Sequence, residues 1–197
     1  SSDLDRKQSE FSRIDIARGK GPLLERVVYK RMIAGSDADG KSVEQIVVLD
    51  AYHGDAIDQA VETFWIRATR GGLIHFRDGE RDRTERVTVA GYAGHNRLMD
   101  GLRLSAIEKS NGSPIPSFVL ACASEQYFGP ALRAAGSETL VMTRTLMAPE
   151  GYVLDAVVRA IGDHAGQARI RLAAVKAYAK WQKLSESVAG TIFAKSE

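Results

Sequence analysis

The chain carries one cysteine, Cys122, and four histidines, His53, His75, His95 and His164. A thiol acts as a nucleophile when a base within hydrogen-bond reach takes its proton and N–H donors receive the developing oxyanion. Cys122 ends the apolar run PSFVLA (116–121), and His95 closes the preceding run, RVTVAGYA (86–93), after Gly94. If these runs are neighbouring strands, thiol and imidazole leave them at the same end and project into one cleft. The competing reading is structural: cysteine behaves as a small hydrophobe, and a lone His after a strand is commonly a hydrogen-bonded support. The histidines show no HExxH spacing, and a single Cys makes neither an intrachain disulfide nor a Cys-rich zinc site, so no metal and no cofactor are expected.

The elements that must position these residues follow from hydrophobic patterning. Residues 1–20 are polar and charge-rich and read as a flexible or peripheral N-terminal arm, with 21–197 as a single domain. PLLERVVYKRMI (22–33) fits strand or helix, and GSDADGKS (35–42) is turn-like. EQIVVL (44–49) reads as a strand covered on both faces, followed by a helix capped by Asp55 with Ile57, Ala60, Val61, Phe64, Trp65 and Ala68 on one face, closed by Gly71-Gly72. Beyond a charged turn at DGERDR come the strands 86–93, 116–121 and 139–143. Helices are expected at about 125–135, from Pro149 to about Ile161, and over 165–184. Tyr127, Phe128 and Leu132 form a core stripe at helical spacing, and Tyr178 with Trp181 docks the last helix. This alternation predicts an α/β sandwich with a mainly parallel sheet, whose strand-end loops 50–56, 94–100, 122–125 and 143–149 hold the working residues.

The 27 basic and 25 acidic residues of the 197 nearly cancel and are dispersed, which gives no electrostatic case for nucleic acid or an anionic membrane. No apolar stretch reaches the roughly 18–20 residues of a bilayer span, and the first residues do not form a signal peptide. A soluble protein is expected, cytoplasmic or exported after removal of a leader.

The blocks VTVAGYAGHN and IPSFVLACAS together resemble those of the caspase-like cysteine peptidases, the group of caspases, legumains, clostripain and gingipains. The resemblance covers about residues 44–147, and the phrases GHN-x-LMD, ACAS-x-x-YF and LMAPEGY suggest a bacterial branch. It implies a caspase-like three-layer α/β sandwich and a cysteine peptidase with Cys122 as nucleophile and His95 as general acid/base. The backbone N–H groups of Cys122 and Asn96 would form the oxyanion hole. Two departures stand out: the family usually has Gly where this chain has Asn96, and 27 positions from His95 to Cys122 is a short separation. His53 and Asp55 are expected at the rim of the substrate pocket, against a plain turn and helix cap. Glu125 and Arg144 border the cleft, one suited to a basic and the other to an acidic substrate group. Asp100 could orient His95, but is read as an exposed loop carboxylate because the family works with dyads. The alternatives are a caspase-like binding or scaffolding module without turnover, and a class I amidotransferase-like enzyme, which would need its His after the Cys, where only His164 stands.

Overall fold

The computed structural model describes residues 10–19, 21–35, 40–106, 112–148 and 150–195. Its N-terminal part is an antiparallel sheet of β1 (Ser12–Arg18), β2 (Leu23–Ile33) and β3 (Val43–Tyr52), in that order. Residues 12–18, expected in a flexible or peripheral arm, are a paired strand at the edge of this sheet, while 1–9 of that arm lie outside the described residues. The arm's end is fixed by chemistry that a hydrophobicity count misses. Phe11 lies between the guanidinium groups of Arg31 and Arg159, 5.2 and 5.1 Å from its ring centre, and Glu10 reaches both at 3.2 and 3.0 Å.

Strand β2 alternates faces, as the two-residue period of a strand requires. Val27 and Tyr29 enter the main core, whereas Lys30 on the opposite face reaches Asp78 at 2.9 Å. The run EQIVVL does form a strand, but it pairs antiparallel with β2 and not within the parallel sheet. A sequence-adjacent hairpin closes a short loop and so wins over a more distant partner.

A single 3-10 turn (Gly54–Ala56) leads into α1 (Ile57–Arg70), which buries the expected Val61, Phe64, Trp65 and Ala68 and ends at Gly71, φ +64°. DGERDR is the tip and second arm of a hairpin, β4 (Leu73–Asp78) with β5 (Arg81–Arg86). Arg83 joins the hairpin to the antiparallel sheet through Glu44 of β3 at 2.9 Å.

The parallel sheet holds three strands in the order β6 (Ala90–Ala93), β7 (Ser117–Leu120), β8 (Thr139–Val141). The fold is thus mixed α/β, an open parallel sheet beside antiparallel ones. Strand β7 is buried along its whole length and divides two apolar cores. Phe118 and Leu120 pack with α4 (Gly151–Gly162) and α5 (Gln167–Gln182), and Val119 faces the core of α1 together with Phe128 and Leu132. The helix expected over 125–135 is two short ones, α2 (Ser124–Tyr127) and α3 (Gly129–Ala134), because Pro130 in the first turn of α3 has no N–H to continue the hydrogen-bond ladder. Pro149, the expected start of α4, lies outside the described residues.

The chain after α5 adds α6 (Glu186–Gly190) and then lies along the edge of β8: Ala194 N–H donates to Met142 O at 2.8 Å and Arg144 N–H to Ile192 O at 2.7 Å. Phe193 is fully buried edge-on to Tyr178, which closes the open strand edge. Trp181 does not dock with Tyr178. It stacks on Tyr152 at 5.7 Å and remains 46% exposed.

Candidate functional site

Cys122 and His95 leave adjacent strands at one level, since Ala93 pairs with Leu120 and Gly94 N–H continues the ladder to Leu120 O at 3.2 Å. The two loops are tied by Asn96. Its Nδ2 donates to Cys122 O at 2.5 Å, while its Oδ1 accepts the N–H groups of Leu98 and Met99 at 3.1 and 3.4 Å. Asn96 is completely buried. Through its side chain it is a strut beneath the loop; the oxyanion role expected of it falls to its backbone N–H, which these bonds do not engage. The amide side chain of Asn96 is what joins the two loops.

His95 is exposed, and its ring is held by one partner, Asp100 Oδ2, at 2.7 Å from Nε2. An ionised carboxylate only accepts, so Nε2 carries the proton and the lone pair is on Nδ1, and no hydrogen bond joins the ring to Cys122 Sγ among the described residues. The hydrogen bond from His95, then that from Arg97, holds the Asp100 carboxyl below its ordinary range. Asp100 is an exposed loop carboxylate, as expected, and it also accepts a hydrogen bond from the imidazole. From below, Tyr92 O–H donates to His95 O at 2.8 Å, and burial pushes the Tyr92 hydroxyl up to about 12, so it stays a neutral donor at physiological pH.

Cys122 is partly exposed, with Sγ 3.5 Å from both the N–H and the carbonyl of Met147. The turn after it is unusual: Ala123 takes left-handed φ +49° and ψ +34°, a region that costs a residue with a Cβ about 1 kcal/mol. Buried polar groups hold this turn. Ser124 Oγ donates to Val119 O at 2.8 Å and accepts Thr143 N–H at 2.9 Å, and Thr143 Oγ1 donates to Ala121 O. The helix expected from about 125 follows this turn directly. This α2 has four residues, and the N–H groups of Ala123, Ser124 and Glu125 are taken by Thr145 O, Thr143 Oγ1 and Thr143 O. The Cys122 N–H has no acceptor among the described residues, and the Met147 N–H reaching Sγ is a contact that sequence spacing did not reveal.

Glu125 and Arg144 face each other at 3.2 Å, so each neutralises the charge that the other would offer a substrate. His53 and Asp55 follow β3, outside the parallel sheet. His53 caps the 3-10 turn, its Nδ1 accepting Asp55 N–H at 3.2 Å. An open cleft along β8 is lined by Glu125, Arg133, Gln167 and Lys195 and includes neither Cys122 nor His95. His75 bonds Thr84 at 2.7 Å, and His164 sits at φ +53° past α4. Among the described residues, no cluster of three or more His, Cys, Asp or Glu side chains could hold a metal ion, and no helix is long and apolar enough to cross a membrane. Comparison with protein-family models, with curated proteins and with solved structures finds no match for this chain.

Proposed function

We propose that this chain is a cysteine peptidase of the caspase-like group, with Cys122 and His95 as its catalytic pair. The observation that carries this reading is the departure of the sole cysteine and an Asp-held histidine from paired positions of adjacent parallel strands. The apolar cores on both faces of β7 support the three-layer arrangement that the resemblance implies. In the proposed reaction, His95 Nδ1 takes the Cys122 proton and Sγ attacks the peptide carbonyl carbon. The resulting oxyanion is met by the Cys122 N–H. Collapse breaks the C–N bond as His95 gives its proton to the leaving amine, which leaves a thioester. His95 then deprotonates a water that attacks the thioester carbonyl, collapse breaks the C–S bond and releases the carboxylic acid, and the proton held by His95 returns to the thiolate.

The test combines iodoacetamide labelling with cleavage of a peptide library by wild type, Cys122→Ala and His95→Ala. Cleavage lost in both variants, with slower labelling of His95→Ala, agrees with the proposal. Cleavage undiminished in Cys122→Ala refutes it. One observation favours a second reading, a caspase-like binding module without turnover: the N–H groups at 123–125 are all engaged within the protein. That reading predicts a thiol whose alkylation rate is the same with and without His95.

A further inference from the structure

We infer that Asp58, in the first turn of α1, is a positioning residue for His95, acting through Arg97 and Asp100; this rests on the cysteine-hydrolase reading of the site. The four side chains form one hydrogen-bonded chain in which acceptors and donors alternate. Asp58 accepts Arg97 Nε at 2.6 Å and Nη2 at 3.4 Å, Arg97 Nη1 donates to Asp100 Oδ2 at 2.7 Å, and the same oxygen takes His95 Nε2 at 2.7 Å. Three of the four belong to the 94–100 loop. Asp58 alone stands on a regular element, and α1 is fixed to the parallel sheet through Phe64, whose ring packs 5.9 Å from Tyr92. Arg97 spends two nitrogens of its planar fork on Asp58 and the third on Asp100, so its plane is set by the helix and not by the loop.

The consequence concerns one torsion. The His95 backbone is already held by Tyr92, which leaves rotation of the ring as the freedom to be removed. Asp100 removes it only if its own carboxylate stays in place, and Arg97 anchored on Asp58 keeps it there. Without Asp58, the arginine can swing to solvent with Asp100, and Nε2 loses its fixed acceptor. Nδ1 is then no longer reserved for the thiol. Asp58 makes no contact with His95, so its effect is on orientation and tautomer and not on the proton transfer itself.

The experiment labels histidine with 15N in the full chain and reads the His95 tautomer from long-range proton–nitrogen spectra, assigned with His95→Gln. Wild type is expected to show the Nε2–H form. Asp58→Asn and, from the other side of the link, Arg97→Met are expected to yield a mixture of both forms, and Asp58→Glu to restore the wild-type pattern. Peptide hydrolysis by Asp58→Asn is expected to fall about 10-fold in kcat with little change in KM, short of the ~10²–10⁴ that loss of a general base costs. A His95 spectrum identical in wild type, Asp58→Asn and Arg97→Met overturns the inference. A changed tautomer in a protein that cleaves no peptide supports the positioning role and instead removes the peptidase reading on which its purpose depends.

Discussion

Replacing Asn96 by Asp changes one amide into a carboxyl at the joint between the two loops, with almost no change of volume. When protonated, the introduced carboxyl keeps all the bonds of the amide, its O–H donating to Cys122 O and its other oxygen accepting Leu98 and Met99 N–H. When ionised, it sets a carboxylate oxygen against a carbonyl oxygen that in wild type lies 2.5 Å from Nδ2, in a residue with no exposure. Full burial raises a carboxyl pKa by up to 3–5 units, and the two accepted N–H bonds recover part of this, for a net rise of about 2 units from ~3.9. Between about pH 4 and pH 6 the folded variant then binds more protons than the unfolded chain, so its stability falls with rising pH by ~1.4 kcal/mol per unit. The variant should lie near wild type at pH 4 and about 3 kcal/mol below it at pH 7.5, a melting-temperature gap of roughly 6–12 °C for a chain of this size. Urea unfolding of both proteins at the two pH values measures this difference, and other carboxylates cancel because wild type carries them too. Asn96→Ala, which loses the same bonds at every pH, supplies a pH-independent control. An equal penalty for Asn96→Asp at pH 4 and pH 7.5 refutes the strut.

Phe193→Ala empties a fully buried site against Tyr178 and should cost ~3–5 kcal/mol by chemical denaturation, whereas Val188→Ala, at a half-exposed position nearby, should change stability by less than about 0.5 kcal/mol. Faster amide exchange at Met142–Arg144 should accompany the Phe193 change, and unchanged exchange there contradicts edge protection by the C-terminal segment. The depressed Asp100 carboxyl contributes stability above its unfolded pKa, and that contribution is lost as pH falls through the still lower folded value. Wild type should therefore exceed Asp100→Asn in stability at pH 6 and converge with it towards pH 2.5, below the ~3.9 of a free Asp; a gap that persists at the acid end disproves the assignment.

Much of the core was legible from spacing alone. The i, i+3, i+4 pattern from Ile57 to Ala68 names the face of α1 that is buried, and the apolar block at 116–121 contains the central strand β7. Phe128 and Leu132 were likewise legible, because apolar residues four apart share one side of a helical segment even where Pro130 breaks it. The two loops that carry Cys122 and His95 were found because a parallel strand must release its chain at the carboxyl end.

What failed were the partnerships. Periodicity finds a strand at 44–49 but does not choose between a parallel neighbour and the adjacent β2, since both satisfy the same apolar face. The charged string DGERDR hid a hairpin because its inward residues, Phe76 and the stem of Arg83, are offset by ion pairs and a cation–π contact at 5.5 Å rather than by an apolar run. The 3.2 Å approach of Glu125, on α2, to Arg144, on the loop after β8, was not legible because it joins segments 19 positions apart.

Residue type and local order determined that any thiol chemistry of this chain passes through Cys122 and that a histidine follows the apolar run before it, because these depend on composition and short-range periodicity; that the two runs are neighbouring strands was decided by the tertiary structure. Tertiary structure alone decided that Asn96 is buried beneath Cys122, that Asp100 and not the solvent holds Nε2 of His95, and that Asp58 reaches across 39 positions to Arg97. Those are bonds between groups whose separation in sequence says nothing of their separation in space, and hydrogen bonds of 2.5–2.7 Å exist only once packing of α1 and β7 has set the distances.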